Sequence, residues 1–579
     1  MVRLKFQPVL WAAACSSLCL SIGIFIPPSV AKPPLVRGRS GMVTSAHSEA
    51  TRVGVEILQQ GGNAVDAAVA TAMAISVVEP FSAGIGGGGF LLLRIGETNQ
   101  MVALDFRERA PLKANSQLYL DAEGKVIPRA SIDGHRAVAV PGTVAGLQAV
   151  HQKYGRLPWS TLLQPAIQLA EEGFMVSDRT TRIIALRQDT LAANSAAKAI
   201  FLPTEQPLKV GDRLVQTDLA KTLRRLAQDP QTFYSGSVAL AIAEDMRENK
   251  GLISLRDLKT YQPTWRQPLC GDFRKLQVCS MPPPSSGGVH LLQMLNLLAQ
   301  WNQFPANAEH PDYLHMLVET MKIAYADRAE YLGDADFVEV PIQELTSVPY
   351  AQRRWRQINA AQARPPEQVK AVDAQTLKRL QQESNDTSHL NVVDRDRNAV
   401  SLTFTLNLGF GAGVVVPGTG IVLNNEMDDF ATAPGVPNAF GLVGNAQNAI
   451  APAKKPLSSM TPTIVTEAGQ LRLVAGASGG STIITTVLQL VLNVLVFDQD
   501  VSTAINAPKV HHQWRPIPLR VEERVQWPKQ TLAELQRRGH SLKMRSQWGN
   551  ANIVEVTPDG ELQGTADPRG EGVAKATSF

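Results

Sequence analysis

The chain has 579 residues, of which 44% are hydrophobic and 19% charged, with 43 Gly and 37 Pro. That composition excludes a small staple-dependent domain, a collagen and a disordered tail, because it supplies apolar side chains for several cores; roughly one to three domains fit. The net charge of +4 is scattered, and its densest basic run, Arg353-Arg354-Trp355-Arg356, is too short for a nucleic-acid footprint.

At the start of the chain, Arg3 and Lys5 precede a largely apolar run from Val9 to Ile26, which ends in Pro27-Pro28 and Ser29-Val30-Ala31. Charged, apolar and small-residue segments in that order predict a secretory signal peptide cut after Ala31. An uncleaved anchor is the alternative, since the run is almost long enough to span a bilayer. Ala12-Ala13-Ala14 before Cys15 makes a poor lipoprotein signal. Removal of residues 1–31 takes away Arg3, Lys5, Cys15 and Cys19, so the remaining chain is nearly neutral and keeps only Cys270 and Cys279. In an oxidising compartment that pair either closes a hairpin or stays as two buried thiols, and with no second pair or nearby His it does not suit zinc.

From Met42 the text reads strand (42–45), helix (49–58) ending at Gly61-Gly62, and an Ala-rich helix (64–78). The run Gly84-Ile85-Gly86-Gly87-Gly88-Gly89 leads into a strand at 90–95. A phosphate cradle needs a helix N-terminus after such a turn, so the glycines predict close backbone packing rather than nucleotide binding. Helical patterns follow at 160–172, 217–227 and 289–301, the last entered through Met281-Pro282-Pro283-Pro284-Ser285-Ser286-Gly287-Gly288. The polar stretch from Thr346 to Asp386 reads as an exposed or mobile linker. Beyond it, 390–394, a charged turn Arg395 to Asn398, and 399–406 predict a hairpin of strong β-formers. Further strands are expected at 420–423, 460–465 and 471–475, and a buried helix at 483–496. Two stacked sheets, or a sheet between helices, fit this order best.

Two motifs carry chemistry. Gly476-Ala477-Ser478-Gly479-Gly480 has the form of a serine nucleophile elbow, with Asp498 or Asp500 and His511, His512 or His540 downstream as partners. Five residues make a short pattern, and the rival motif is Asn385-Asp386-Thr387-Ser388-His389, where the polar linker meets the first strand of the C-terminal part.

Around that second motif the sequence closely resembles the γ-glutamyltransferase (γ-glutamyltranspeptidase) family of N-terminal nucleophile hydrolases, from about Gly41 to Lys575. The likeness rests on Leu104-Asp105-Phe106-Arg107-Glu108-Arg109-Ala110-Pro111, Pro141-Gly142-Thr143-Val144-Ala145-Gly146, Met281 to Gly288, Thr387-Ser388-His389, Thr405-Leu406-Asn407, Leu423 to Phe430, Pro456 to Pro462 and Asp567-Pro568-Arg569-Gly570. The resemblance implies an α/β fold, a four-layer αββα sandwich. It implies autocatalytic cleavage between Asp386 and Thr387, giving a large subunit (32–386) and a small one (387–579) that form one unit. It also implies that Thr387 is the nucleophile and that its freed α-amine is the base, which requires no separate His. Thr405 is expected to hydrogen-bond the nucleophile, and Gly479 and Gly480 to stabilise the oxyanion. Arg107, Ser458 and Ser459 are expected at a substrate α-carboxylate, and Asn407, Glu426 and Asp429 at its α-amine. Glutathione and other γ-glutamyl compounds are the implied donors, and water, amino acids or dipeptides the acceptors. No metal or other cofactor and no nucleic acid is called for.

Three positions depart from the family's pattern: Ser388 for Thr, Ala477-Ser478 for Ser-Pro, and Phe440, where lid-bearing relatives carry Tyr. Phe440 can cover the pocket but cannot hydrogen-bond Asn407. The alternatives are a related glutaryl or β-lactam acylase, a Ser478 serine hydrolase, and an inactive binding protein for γ-glutamyl compounds.

Overall fold

In the computed structural model, which describes residues 32–369, 387–523 and 527–578, the expected hairpin consists of antiparallel strands Ser388–Val393 and Ala399–Thr405, with Leu390 opposite Leu402. Side chains along a strand alternate between its faces. Leu390, Val392, Val400, Leu402 and Phe404 therefore enter one apolar core, whereas Val393 and Ala399 belong to another. His389, Asn391, Ser401 and Thr403 share that second face and are paired there. The His389 imidazole meets Thr403 Oγ1 at 2.8 Å, and Asn391 Nδ2 donates to the Asn552 carbonyl of the facing sheet at 2.9 Å.

The hairpin lies in the middle of a seven-stranded sheet ordered Val573–Ala576, Met42–Ser45, Ser388–Val393, Ala399–Thr405, Gly88–Arg94, Met101–Phe106, Thr264–Arg266. A second seven-stranded sheet runs Val36–Gly38, Leu562–Ala566, Ala551–Val556, Gln470–Ala477, Thr463–Glu467, Leu276–Ser280, Leu269–Phe273 and packs against it. Helix Ala64–Val78 covers the outer face of the first sheet with every residue buried; it starts at a reciprocal cap between Asn63 and Asp66. Helices Gly287–Leu298 and Ile483–Leu495 cover the second sheet, with Pro311–Tyr331 packed on Gly287–Leu298. The layers are helix, sheet, sheet, helix, as the resemblance implied.

The glycine run is packing, as its sequence predicted. A Cβ on Gly86 would stand 2.1 Å from the Val422 carbonyl oxygen, and one on Gly87 1.9 Å from that of Thr405. Cys270 and Cys279 lie in register on neighbouring strands and form a disulfide. The linker expectation fails at its start: Val348–Trp355 is a helix that buries Tyr350, Ala351 and Arg354. The strand expected from Met460 begins only at Thr463. The predicted signal peptide, residues 370–385 of the linker and Asp386 lie outside the described residues. No helix among the described residues is long and apolar enough to cross a membrane.

Candidate active site

Thr387 immediately precedes one strand of the central hairpin and Thr405 ends the other. Ser388 pairs with Phe404, which sets the two threonines side by side with their Oγ1 atoms 3.3 Å apart. Thr387 is only 4% exposed. Thr405 Oγ1 also accepts from the Asn407 backbone N–H at 2.8 Å. Asn407 has φ +78°, a left-handed conformation that Asn tolerates, and its Nδ2 donates to the Asn425 carbonyl at 3.0 Å. That turn carries the Asn407 side chain to the cavity beside the threonines.

Arg107 follows strand Met101–Phe106 and is fully buried. Its Nη1 pairs with Glu426, its Nη2 with Asp429 at 2.6 Å, and its Nε donates to the Pro456 carbonyl at 3.2 Å. Glu108 stands 3.7 Å from Nη1. Burial alone would favour loss of the proton, but Glu426, Asp429 and Glu108 outweigh it and hold the guanidinium above its ordinary pKa. Burial acts the same way on the carboxyls: Glu426 is raised well above its usual range despite Arg107, and Glu108 is pushed up to about 7. One guanidinium thus faces three carboxyl groups, so cationic and acidic groups stand side by side at the cavity.

Ser458 Oγ accepts from the Met460 N–H at 3.1 Å, and Ser459 Oγ from Arg328 Nη2 at 3.3 Å, which leaves both hydroxyl protons to be donated. Gly479 and Gly480 have φ +127° and +54°. They form the turn between strand Gln470–Ala477 and helix Ile483–Leu495, where residues with a Cβ would be strained. Phe440 closes over this turn, so tightly that a Cβ on Gly480 would lie 2.4 Å from its ring.

Arg107, Thr387, Thr405, Asn407, Glu426, Asp429, Ser458, Ser459 and Gly480 all line one cavity; Gly479 is one residue outside the lining. Leu442, Met460 and Ile483 also line it and were not singled out from sequence. Sequence reasoning also missed Tyr325 and Arg328, both buried on helix Pro311–Tyr331: the Tyr325 phenol donates to the Ser481 carbonyl, and Arg328 reaches Ser286 and Ser459. Their i, i+3 spacing puts them on one face, the only signal that could have paired them.

The serine-elbow rival is not assembled. Ser478 Oγ donates to the Asn550 carbonyl at 3.3 Å, His511 is engaged by Thr485 and Gln513, and His540 by His315. His315, Glu319 and His540 offer atoms within 4.8 Å of one another, but Glu319 already pairs with buried Lys322, whose ammonium would repel a metal ion.

An αββα sandwich with a buried hydroxyl at the start of a central strand, facing a glycine turn, defines an N-terminal nucleophile hydrolase. Residues 50–577 match the family model described as Gamma-glutamyltranspeptidase, and the chain belongs to that family of enzymes. It is 46% identical over 536 residues to the glutathione hydrolase proenzyme of Escherichia coli strain K12, covering 92% of this chain and 91% of that one. It is 36% identical over 549 residues to the acylase ACY 1 proenzyme of Pseudomonas sp. strain V22, covering 93% and 94%. Among solved structures, cephalosporin acylase from Bacillus halodurans superposes with a TM-score of 0.84 at 27% identity over 100% of both chains.

Proposed function

We propose that this chain is an exported, self-cleaving γ-glutamyl hydrolase and transferase acting on glutathione and related compounds, with residues 1–31 removed and subunits 32–386 and 387–579 made from one precursor. The observation that carries the reading is the Thr387–Thr405 hydroxyl pair in the same cavity as the Arg107, Glu426 and Asp429 cluster.

In the precursor, the Thr387 hydroxyl attacks the Asp386 carbonyl carbon and the C–N bond breaks, leaving an ester and a free α-amine. Water then hydrolyses the ester. The amine, with an ordinary pKa of ~7.7–8.0, is partly neutral near pH 7 and takes the Oγ proton as Oγ attacks the donor's γ-carbonyl. Thr405 holds that oxygen, and β-branching limits Thr387 to few rotamers. The Gly479 and Gly480 N–H groups receive the oxyanion. The departing amine takes the proton, and water or an amino acid or dipeptide then accepts the γ-glutamyl group. Arg107, Ser458 and Ser459 hold the donor's α-carboxylate; Asn407, Glu426 and Asp429 hold its α-amine.

The likeness to ACY 1 and to cephalosporin acylase favours a glutaryl or β-lactam acylase as the second reading. The α-amine separates the two: a γ-glutamyl donor brings an ammonium group to Glu426 and Asp429, and a glutaryl group brings none. Intact-mass measurement tests the processing step: the wild type should give two fragments that divide at Asp386–Thr387, and Thr387→Ala a single inactive chain. An active, uncleaved wild type overturns the proposal.

A further inference from the structure

Behind the Gly479–Gly480 turn, one buried side chain touches both this turn and the lid. Gln513 follows strand Val510–His511 and is 3% exposed. Its Nε2 donates to the Phe440 carbonyl at 3.1 Å; its Oε1 accepts from Ser481 Oγ at 2.7 Å and meets His511 Nε2 at 2.9 Å. A carbonyl can only accept, so Phe440 fixes which way the amide points. Oε1 can likewise only accept, so His511 carries its proton on Nε2 and turns Nδ1 to the Thr485 hydroxyl 2.8 Å away. Burial lowers His511 to about 3, which keeps the imidazole neutral in this role near pH 7. On its other side the lid tip is held by the acidic loop of the site: the Ala439 N–H donates to Asp428 at 2.9 Å, and Asn438 Nδ2 to Asp429 at 3.1 Å.

We propose that Gln513 is a positioning residue that ties the lid tip at Phe440 to the oxyanion turn at Ser481 and so sets how firmly the Phe440 ring closes over Gly480. This inference rests on the γ-glutamyl reading of the cavity and deepens it. Phe440 cannot make the phenol hydrogen bond expected of a lid tyrosine, and its backbone carbonyl supplies an anchor in place of its side chain.

Hydrogen exchange on the processed full-length protein tests the tether without any turnover, so it stands apart from the functional reading. In Gln513→Met, amides of 433–444 should exchange about tenfold faster, the worth of one hydrogen bond, while those of helix Ile483–Leu495 are unchanged. Unchanged lid exchange in the folded variant overturns the proposal. Gln513→Asn, shorter by one methylene, cannot span both partners and serves if the Met variant does not fold. A kinetic cycle with γ-glutamyl-p-nitroanilide completes the test: Gln513→Met should raise KM more than it lowers kcat, and should lose most of that effect in a Phe440→Ala background. Equal effects in both backgrounds would assign Gln513 a structural role unconnected with the lid.

Discussion

Arg107 carries its charge out of reach of water, and only the carboxyl groups around it make that tenable. The same cluster sets two expectations. A donor's ammonium group gives these buried carboxyl groups a hydrogen-bonding cationic partner, so kcat/KM for γ-glutamyl-p-nitroanilide should exceed that for glutaryl-p-nitroanilide by at least about 10²-fold, because a site built around a polar group rejects the analogue that lacks it. Equal values would move the chain to the acylase branch even with Thr387 as nucleophile. The second expectation concerns Glu108, raised by burial from 4.5 to about 7. Between those values the folded state keeps a proton that the unfolded chain has released, so stability falls as pH rises through that window and levels off above it. Glu108→Gln removes this titration. Denaturant midpoints at pH 5 and pH 8 should therefore show the wild type losing stability relative to the variant. A difference between the two proteins that stays constant with pH would show that Glu108 does not titrate there.

At the scale of elements, the glycine run and the hairpin make one device. Gly88 pairs with Thr405 across adjacent strands, and Gly87 lies against the Thr405 carbonyl. Any side chain at Gly87 pushes Thr405, whose Oγ1 lies 3.3 Å from that of Thr387. Gly87→Ala should therefore destabilise the protein by about 1–3 kcal/mol and lower kcat together. Gly84→Ala is the matched control: its Cβ would have no neighbour closer than 4.0 Å and its φ is not left-handed. Melting temperature and turnover of the two variants settle whether the run serves the site or only the turn. Tyr325 and Arg328 extend the same logic, since one long helix steadies both the glycine turn, at Ser481, and the Ser458–Ser459 loop.

Over the whole molecule, the two proposed subunits interleave in both sheets. Strands Ser388–Val393 and Ala399–Thr405 lie between Met42–Ser45 and Gly88–Arg94, and Thr463–Glu467 lies beside Leu276–Ser280. The proposed cleavage before Thr387 would remove one covalent bond and none of these ladders. The Cys270–Cys279 disulfide lies within the larger piece and cannot link the two. The fragments should therefore co-purify, unfold in one transition and separate only in denaturant; dissociation in native buffer would contradict the interleaving.

The sequence alone determined what depends on neighbours in the chain. The hairpin at 390–406, the Ala-rich helix and the glycine turns were legible because period-two and helical repeats, caps and glycines act within a few residues. The candidate site residues were named through family resemblance, and the structure brings all of them but Gly479 to the lining of one cavity; taken singly, Arg107, Glu426 or Ser458 is an ordinary polar residue. The tertiary structure decided what depends on residues far apart. It set Arg107 against Glu426 across 319 positions of chain, buried Tyr350 of the supposed linker in a cluster with Leu345 and Leu457, and brought Gln513 to Phe440 and Ser481. It also decided against the Ser478 triad, which local pattern alone permits. The reason is physical: a polar side chain's chemistry is set by burial and by the partner it meets, and neither is encoded in the residues beside it.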